Sequence, residues 1–424
     1  MEAAVKRTFA SFEVPNFRLY FIGQGISLCG TWMQTIAISW LVLQLTHSGT
    51  QLGLVTAAQF LPILLLGVFG GVIVDRFDKR RILYCTQTVM GLLALALGLL
   101  VVTHSIQLWM VYVLAASFGL VQVVDNPSRQ TFVVEMVGHS RLKNAVTLNS
   151  TVVNGARIVG PTFAGVIIAT LGVGPCFLVN AVSYLAVLIA LKAMRGSELQ
   201  PAPRSKRAPG QVVAGLKYAW HMPKLRATLL MMLIIGTFAY EFPVILPLFA
   251  TVTLHGNATT YSVMTAAMGI GAVAGGLYSA GSSVVTQRRL ITVAVLFGCS
   301  IMLTALAPSL LTAFVVLIFM GGLSVLFISL GNTTLQLNSD PQMRGRVMAL
   351  WSIAFQGTTP IGGPIIGAIA DHSNPRVGLI VGGISALVAA VVGGLVLRAT
   401  KGSGDPGQAS RPVRPSTDQP EPAQ

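Results

Sequence analysis

Twelve apolar stretches, at roughly 17–44, 51–74, 82–102, 107–125, 144–169, 175–194, 224–254, 259–284, 289–307, 310–333, 345–370 and 377–398, leave this chain few ways to fold in water. Each is close to or longer than the ~20 residues that carry a helix across a bilayer. Several are long enough to tilt or to extend beyond it. Inside a bilayer a segment must satisfy its own backbone N–H and C=O groups, so each stretch is predicted as a helix. With 53% hydrophobic and only 10% charged residues and a mean hydropathy of +0.73, a soluble domain is excluded. The fold class is all-α integral membrane with twelve transmembrane helices. The 44 glycines suit close helix packing in lipid.

The charge distribution orients the helices. Of 28 Lys and Arg residues, only Arg376 falls in a loop on the side opposite the N-terminus, and only Arg157 lies well inside a span. The opposite-side loops 45–50, 103–106, 170–174 and 255–258 hold none. By the positive-inside rule both termini are expected in the cytoplasm. The net charge of +15 is thereby explained with no nucleic-acid partner. Phe17 onwards is long and lacks a small-residue cleavage pattern, so it reads as the first span and not as a signal peptide. Cys29, Cys85, Cys176 and Cys299 have no pairing spacing and read as small core hydrophobes. His47, His104, His255 and His372 sit in separate short loops, so no metal set is expected.

The longest internal break, 195–223, holds Pro201, Pro203, Pro209 and the basic run Arg204 to Arg207. It separates six spans, 17–194, from six more, 224–399, with a tail at 1–16 and a disordered, Pro-rich tail at 400–424. Within the linker, Val212, Val213, Leu216 and Trp220 are spaced for the apolar face of a surface helix. The two halves repeat. At an offset of 202, Asn154-Gly155 falls on Gln356-Gly357, Gly160 on Gly362 and Gly165 on Gly367, while Pro161 and Pro364 are one step out of line. The turn after span 8, Gly275 to Ala280, is a worn copy of Gly70 onwards. Two related six-helix halves around a central cavity is a transporter architecture. Small residues recur every fourth position as Gly67/Gly71, Ala156/Gly160/Ala164, Ala267/Gly271/Gly275/Ser279 and Gly363/Gly367, which marks packing stripes on spans 2, 5, 8 and 11.

Asp75 to Arg81 packs six charges into seven residues between two spans. The order Gly71, Asp75-Arg76, Asp78, Lys79-Arg80 resembles the loop between helices 2 and 3 of the major facilitator superfamily, with Asp78 where that pattern usually has Gly. The stretch 125–165, with Asp125 to Gln130, Leu142 to Ala145, Leu148 to Ser150, Asn154 to Arg157 and Gly160-Pro161, resembles the enterobactin-exporter-like branch. The resemblance covers about residues 12 to 400. It implies two pseudo-symmetric bundles, an inner-membrane location in bacteria and a siderophore- or drug-exporting role. Gly160-Pro161 is also similar to the span-5 signature of proton antiporters. By resemblance the helix 2–3 turn is a gate that closes when the cavity faces outward, with Gly71, Asp75, Arg76, Arg80, Asp125 and Arg129 as its residues and the charged ones forming a breakable cluster. Exposed ion pairs, worth ~0–1 kcal/mol each, suit such a contact.

Two ionisable residues stand out by depth. Arg157 lies about 20 Å into the bilayer at ~1.5 Å per residue, and a guanidinium there costs at least ~2.5 kcal/mol unless it faces water or a partner. Ser150, Asn154, Arg157 and Pro161, at i, i+4, i+7 and i+11, share one helix face. Glu241 is the one acid clearly at mid-span, between Tyr240 and Phe242-Pro243, and Pro243 and Pro247 are expected to break its helix. A carboxylate there that gains or loses a proton changes the charge inside the cavity, which proton coupling requires. Glu241 is therefore the expected proton-linked residue and Arg157 its charge partner. Ser27, Thr31, Gln34, Ser117, Gln122, Tyr240, Ser324 and Asn332 are expected to line the cavity with Asn154, and Trp32, Trp40 and Trp109 to stack on a ligand or anchor the interface.

These readings predict a proton-coupled exporter of amphipathic organic molecules working by alternating access. Its partners are a small-molecule substrate, protons and membrane lipid, and it acts as a monomer with no cofactor. An importer or a lysophospholipid-type transporter of the same fold is the alternative. A membrane enzyme needs nucleophile, base or metal ligands clustered at one depth, and the sequence offers one mid-membrane acid and no mid-membrane His. ATP-driven pumping lacks its G-x-x-x-x-G-K-[ST] loop.

Overall fold

A computed structural model describes residues 10–200, 211–281, 285–340 and 342–402; the side chains of a few helical residues, Asp75 among them, lie outside the description. All regular structure among these residues is helical. The first six crossings are α1 (Pro15–Thr46), α2 (Gly49–Arg76), α3 (Lys79–Val102), α4 (Leu108–Gly138), α5 (Asn144–Leu171) and α6 (Gly174–Ala193). The second six are α7 (Pro223–Thr253), α8 (Ala258–Gly281), α9 (Gln287–Leu306), α10 (Leu310–Asn338), α11 and α12 (Pro375–Gly402). α11 is broken into α11a (Arg344–Gln356) and α11b (Thr359–His372).

Helix ends follow local chemistry. Ser48, Asp78, Thr286 and Ser309 each accept a backbone N–H of the first turn of α2, α3, α9 and α10. Asp78, which replaces a glycine of the usual pattern, thus serves as the cap of α3. His47, His104 and His255 all adopt left-handed backbone, with φ of 51°, 55° and 51°. Three of the loop histidines thus sit at helix ends, where the chain turns away.

The bundles pack separately. In the first, α1 lies on α5 and α6, α2 on α4, and α3 on α6; in the second, α7 lies on α11 and α12, α8 on α10, and α9 on α12. The repeat read from the sequence has a matching geometry. Gly160 lets α5 approach α1 at Cys29 and Trp32, and its counterpart Gly362 lets α11b approach α7 at Thr237. Gly165 faces Ser262 of α8, and its counterpart Gly367 faces Gly49 of α2. Gly70 meets Val123 of α4, as Gly275 meets Gly322 of α10.

The packing stripes divide accordingly. Gly363 and Gly367 close the seam between halves, against Gly53 and Gly49, whereas Gly271 and Gly275 pack inside the second half on Ile318 and Gly322 of α10. Gly160 packs inside the first half and Pro161 is buried beside it, while Gly67 is exposed. The stripes thus serve contacts within a half as well as the seam, where α2 meets α11b and α5 meets α8. A small residue permits close approach to any neighbour, and spacing alone does not say which.

The linker helix spans Gln211–His221. It docks through buried Gly215 and Ala219 against Arg346 of α11a, and the Tyr218 hydroxyl accepts the Asp340 N–H. Leu216 and Trp220 of the expected apolar face point outward; the Val212 and Val213 side chains lie outside the described residues. The basic run 204–207 and the tail from 403 lie outside the described residues, and α12 continues to Gly402. Of the cysteines, Cys176 is buried, Cys29 half-buried, and Cys85 and Cys299 are exposed, so two of them are not core residues.

Candidate functional site

One face of α5 leads from the linker end into the centre of the molecule. Along it Ser150 is exposed, Asn154 and Arg157 are half-buried, and Pro161 is buried. The exposure falls with depth, as it does along the wall of a cleft open at the linker end and shut at the other. Arg157 stands at the apex. Its guanidinium lies over the Trp32 ring of α1, 5.0 Å from the centroid, a cation–π arrangement. Gly269 of α8 packs against the Arg157 carbonyl from the other half. The Arg157 Nε is buried without a hydrogen-bond partner.

The second half contributes the break in α7. The helix stops at Phe238 and restarts at Phe242, with Glu241 between. Pro243 is the cause, having no N–H for the Ala239 carbonyl four residues before it; Pro247 in turn leaves the Pro243 carbonyl without a helical donor, and the Ser39 hydroxyl of α1 donates to it at 3.0 Å. Tyr240 sits in an aromatic cluster with Phe242, Phe297 and Phe355, at 5.8, 5.3 and 5.3 Å between centroids. Its hydroxyl donates to the Ser324 carbonyl at 2.8 Å, and the ring is close enough to Arg157 to interact electrostatically.

Glu241 is 2% exposed. Its carboxylate lies against the first turn of α11b, where a Cβ on Gly362 would come 3.0 Å from Oε1 and one on Gly363 3.3 Å from Oε2. The Thr359 hydroxyl is alongside, but not in hydrogen-bond geometry: both carboxylate oxygens are buried and unpartnered among the described residues. The breaks of α7 and α11 therefore meet at one level. The expected Arg157–Glu241 pair is not formed in this structure, for among the described residues neither takes part in an ion pair. Arg157 turns to α1 and Tyr240, whereas the unwound backbone at Glu241 directs its side chain to α11.

At the linker end the expected charge cluster is dispersed. Asp125 is fully buried and accepts hydrogen bonds from Thr86 at 2.6 Å, Gln87 at 2.7 Å and Arg129. All four belong to the first half. Arg80 donates to the carbonyls of Leu191, Lys192 and Met194, closing the end of α6, where a cation is favoured. Lys79 pairs with Glu135. Arg76 is exposed and Gly71 half-buried at the end of α2, and the Asp75 side chain lies outside the described residues. In this state Arg80, Asp125 and Arg129 make these contacts within the first half, while the cluster with Arg76 is the one expected when the cavity faces outward.

The remaining expected cavity residues scatter. Gln34 is buried and accepts the Asn180 amide at 2.6 Å inside the first bundle, away from the cleft. Thr31 bonds back to the Ser27 carbonyl, and the buried Ser324 to the Gly321 carbonyl. Asn154 bonds back to Ser150, and the Asn332 oxygen accepts from Gln336. Gln122 and Ser117 are half-buried on α4, and Ser27 is buried. Trp109 is exposed at the start of α4, and Trp40 is packed in the core.

A contact that sequence reasoning missed closes the far end. The Asp371 carboxylate, at the end of α11b, accepts four hydrogen bonds from the start of α2: the Ser48 hydroxyl at 2.7 Å, the Gly49 N–H at 2.6 Å, the Thr50 N–H at 2.8 Å and the Thr50 hydroxyl at 2.7 Å. Partial burial opposes the charge on Asp371, but these donors outweigh it and hold the carboxyl below the ordinary aspartate range. Helix N-terminal N–H groups favour an anion there. The available signal was an acid ending one span and a Ser-Gly-Thr cap opening another, without any indication that the two meet.

The family described as transmembrane secretion effector matches residues 6–414. The chain belongs to that family. It is a multi-pass membrane transporter of the major facilitator superfamily, and not an enzyme. It is 27% identical to the staphyloferrin A transporter of Staphylococcus aureus over 60% of this chain and 64% of that one, just under two thirds of the relative's length. It is 26% identical to the multidrug efflux pump Tap of Mycolicibacterium fortuitum over 81% of this chain and 86% of that one. The enterobactin exporter EntS of Shigella flexneri is 24% identical over 90% and 92% of the two chains. A bacterial homolog of the human lysosomal transporter Spinster, inward-facing and unoccupied, shares the fold with a TM-score of 0.70 at 14% identity, over 92% of this chain and 98% of that one. A POT family transporter solved with 5-aminolevulinic acid shares it at 0.74 and 11% identity, over 91% and 96%.

Proposed function

We propose that this family member is a secondary active exporter of amphipathic organic molecules, of the siderophore or drug class, driven by proton exchange across a bacterial inner membrane. The observation that carries the reading is the graded closure along α5, exposed at Ser150 and buried at Pro161, with the Asp371 contact shutting the far end. That is one state of an alternating-access cycle. The Lys and Arg bias supports a cytoplasmic linker and cytoplasmic termini, so the cleft opens inward. The units that rock are 17–194 and 224–399, tethered by 195–223. Gly71, Asp75 and Arg76 at the end of α2 take part in closing the cleft from below. The export direction is supported by the likeness to the multidrug efflux pump Tap and the enterobactin exporter EntS.

The proton site in this reading is Glu241. An unpaired buried charge is costly. Among the described residues no cation pairs with the carboxylate, and the Thr359 hydroxyl beside it is outside hydrogen-bond geometry, which favours a proton as its partner. It also rests where α7 and α11 are both interrupted, so a change of charge there acts on two helices of the second half. Arg157, in the other half, acts on the cargo.

Efflux of a fluorescent amphiphile from energised cells, with and without an uncoupler, tests this. Uncoupler-sensitive efflux that is lost in Glu241→Gln is the expected result. Full gradient-driven efflux in that variant overturns the assignment of Glu241. Movement indifferent to the uncoupler overturns proton coupling and leaves facilitated, inward or lysophospholipid-type transport on the same fold.

A further inference from the structure

The cation at the apex of the cleft has no counter-charge. Among the described residues Arg157 takes part in no hydrogen bond or ion pair, and its Nε is buried and unpartnered. Trp32 offers it only a ring face, and Tyr240 has spent its hydroxyl hydrogen on Ser324. Neither Asp125 nor Glu241 pairs with it: Asp125 is held by Thr86, Gln87 and Arg129, and the Glu241 carboxylate lies against α11b. A guanidinium presents a planar fork of donors that matches a carboxylate or another oxyanion. We propose that Arg157 receives an anionic group of the cargo, so that the preferred substrates are amphiphilic organic anions with one charged end and an apolar or aromatic body. The inference rests on reading the cleft as the cargo path.

The geometry sets the order of contacts. An anion entering from the linker end passes Ser150 and Asn154 before it reaches Arg157, with the Trp32 ring behind the guanidinium. Deeper passage is blocked in this state, because Pro161 is buried and Gly269 seals the seam at Arg157. A single cation suits a single charged end. A neutral or cationic amphiphile leaves Arg157 unpaired, or adds a like charge beside it.

Binding of N-dansyl-leucine and of its methyl ester to the purified full-length protein in lipid nanodiscs, with empty nanodiscs subtracted, tests this. The two probes differ by one negative charge. The acid is expected to bind at least about tenfold more tightly than the ester, as a charge-assisted hydrogen bond implies. The ratio should fall to about one in Arg157→Gln, with ester affinity unchanged, and stay intermediate in Arg157→Lys. Equal affinities in the unmodified protein, or an unchanged ratio in Arg157→Gln, overturn the proposal. Energy transfer from tryptophan to the bound acid supplies a second readout that leaves Arg157 in place. A drop in Trp32→Phe supports the site, and undiminished transfer overturns it. No gradient is needed, so acid preference that persists in a protein without uncoupler-sensitive efflux supports this proposal and overturns the exporter reading alone.

Discussion

Asp371 and Thr50 belong to opposite halves of the molecule, yet the Asp371 carboxylate accepts both the Thr50 backbone N–H, at 2.8 Å, and its hydroxyl, at 2.7 Å. An acid at the end of one helix completes the start of another. The contact is specific, solvent-accessible and spans the seam, as a reversible latch requires. In Asp371→Ala the far end is expected to open more often. Spin labels on Leu45→Cys and His372→Cys, in a background without the four native cysteines, should report an added longer distance. An unchanged distribution would show that the glycine seam alone holds this end.

The same latch has a defined pH dependence. The Asp371 carboxyl is held below its ordinary value by its donors when the latch is closed. A lowered value means that the stabilisation is complete above the ordinary aspartate range, near 3.9, and is lost as pH falls through the lowered one. The label distance is therefore expected to stay constant from pH 8 to about 5 and to lengthen only in stronger acid. Opening near neutral pH would assign the proton response of this end to another group.

Gly363 and Gly53 let α11b and α2 touch backbone to backbone. Gly363→Leu should therefore prevent closure of the far end while leaving each bundle intact. Transport is expected to fall at least about tenfold with normal membrane insertion, and a cysteine at Thr56 should become reactive to an impermeant reagent from the side opposite the linker. Retained turnover in this variant would mean that the seam tolerates a side chain that the closed geometry has no room for.

Asp125 separates a structural from a gating role. Its removal leaves Arg129 largely buried without its counter-charge, and breaking a buried pair costs about 3–5 kcal/mol. Asp125→Ala is expected to lower the thermal unfolding temperature and the yield of folded protein. A variant that folds normally but turns over slowly would return Asp125 to the gate.

Ser39 bridges the halves where Pro247 leaves the Pro243 carbonyl without a helical donor. In Ser39→Ala that buried carbonyl loses its partner, at a cost of about 1–3 kcal/mol. Because the bond joins α1 to α7, the loss is expected to favour the state in which the halves separate at this level. Faster labelling from the far side would display it, and labelling at the original rate would count against it.

The sequence by itself determined the class and count of elements. An apolar run of ~20 residues in a bilayer has one economical solution for its backbone polar groups, the helix, so spans, order and basic-side bias were readable from composition and spacing. The repeat was readable because Gly160 and Gly362 each serve the same close approach in their own half. Glu241 and Arg157 stood out because charge at depth is expensive. Tertiary structure alone decided their partners. Helical spacing gives the face on which Arg157 lies but not which helix comes to meet it, so Trp32 in place of Glu241 could not be read from the chain. Asp125 looked like an exposed span end, yet Thr86 and Gln87 of α3 enclose it. Asp371 and Ser48 lie far apart in sequence, and their meeting follows from how two bundles close on each other. Local periodicity records what a residue must avoid in lipid; contact between halves depends on how distant segments pack, which no local pattern encodes.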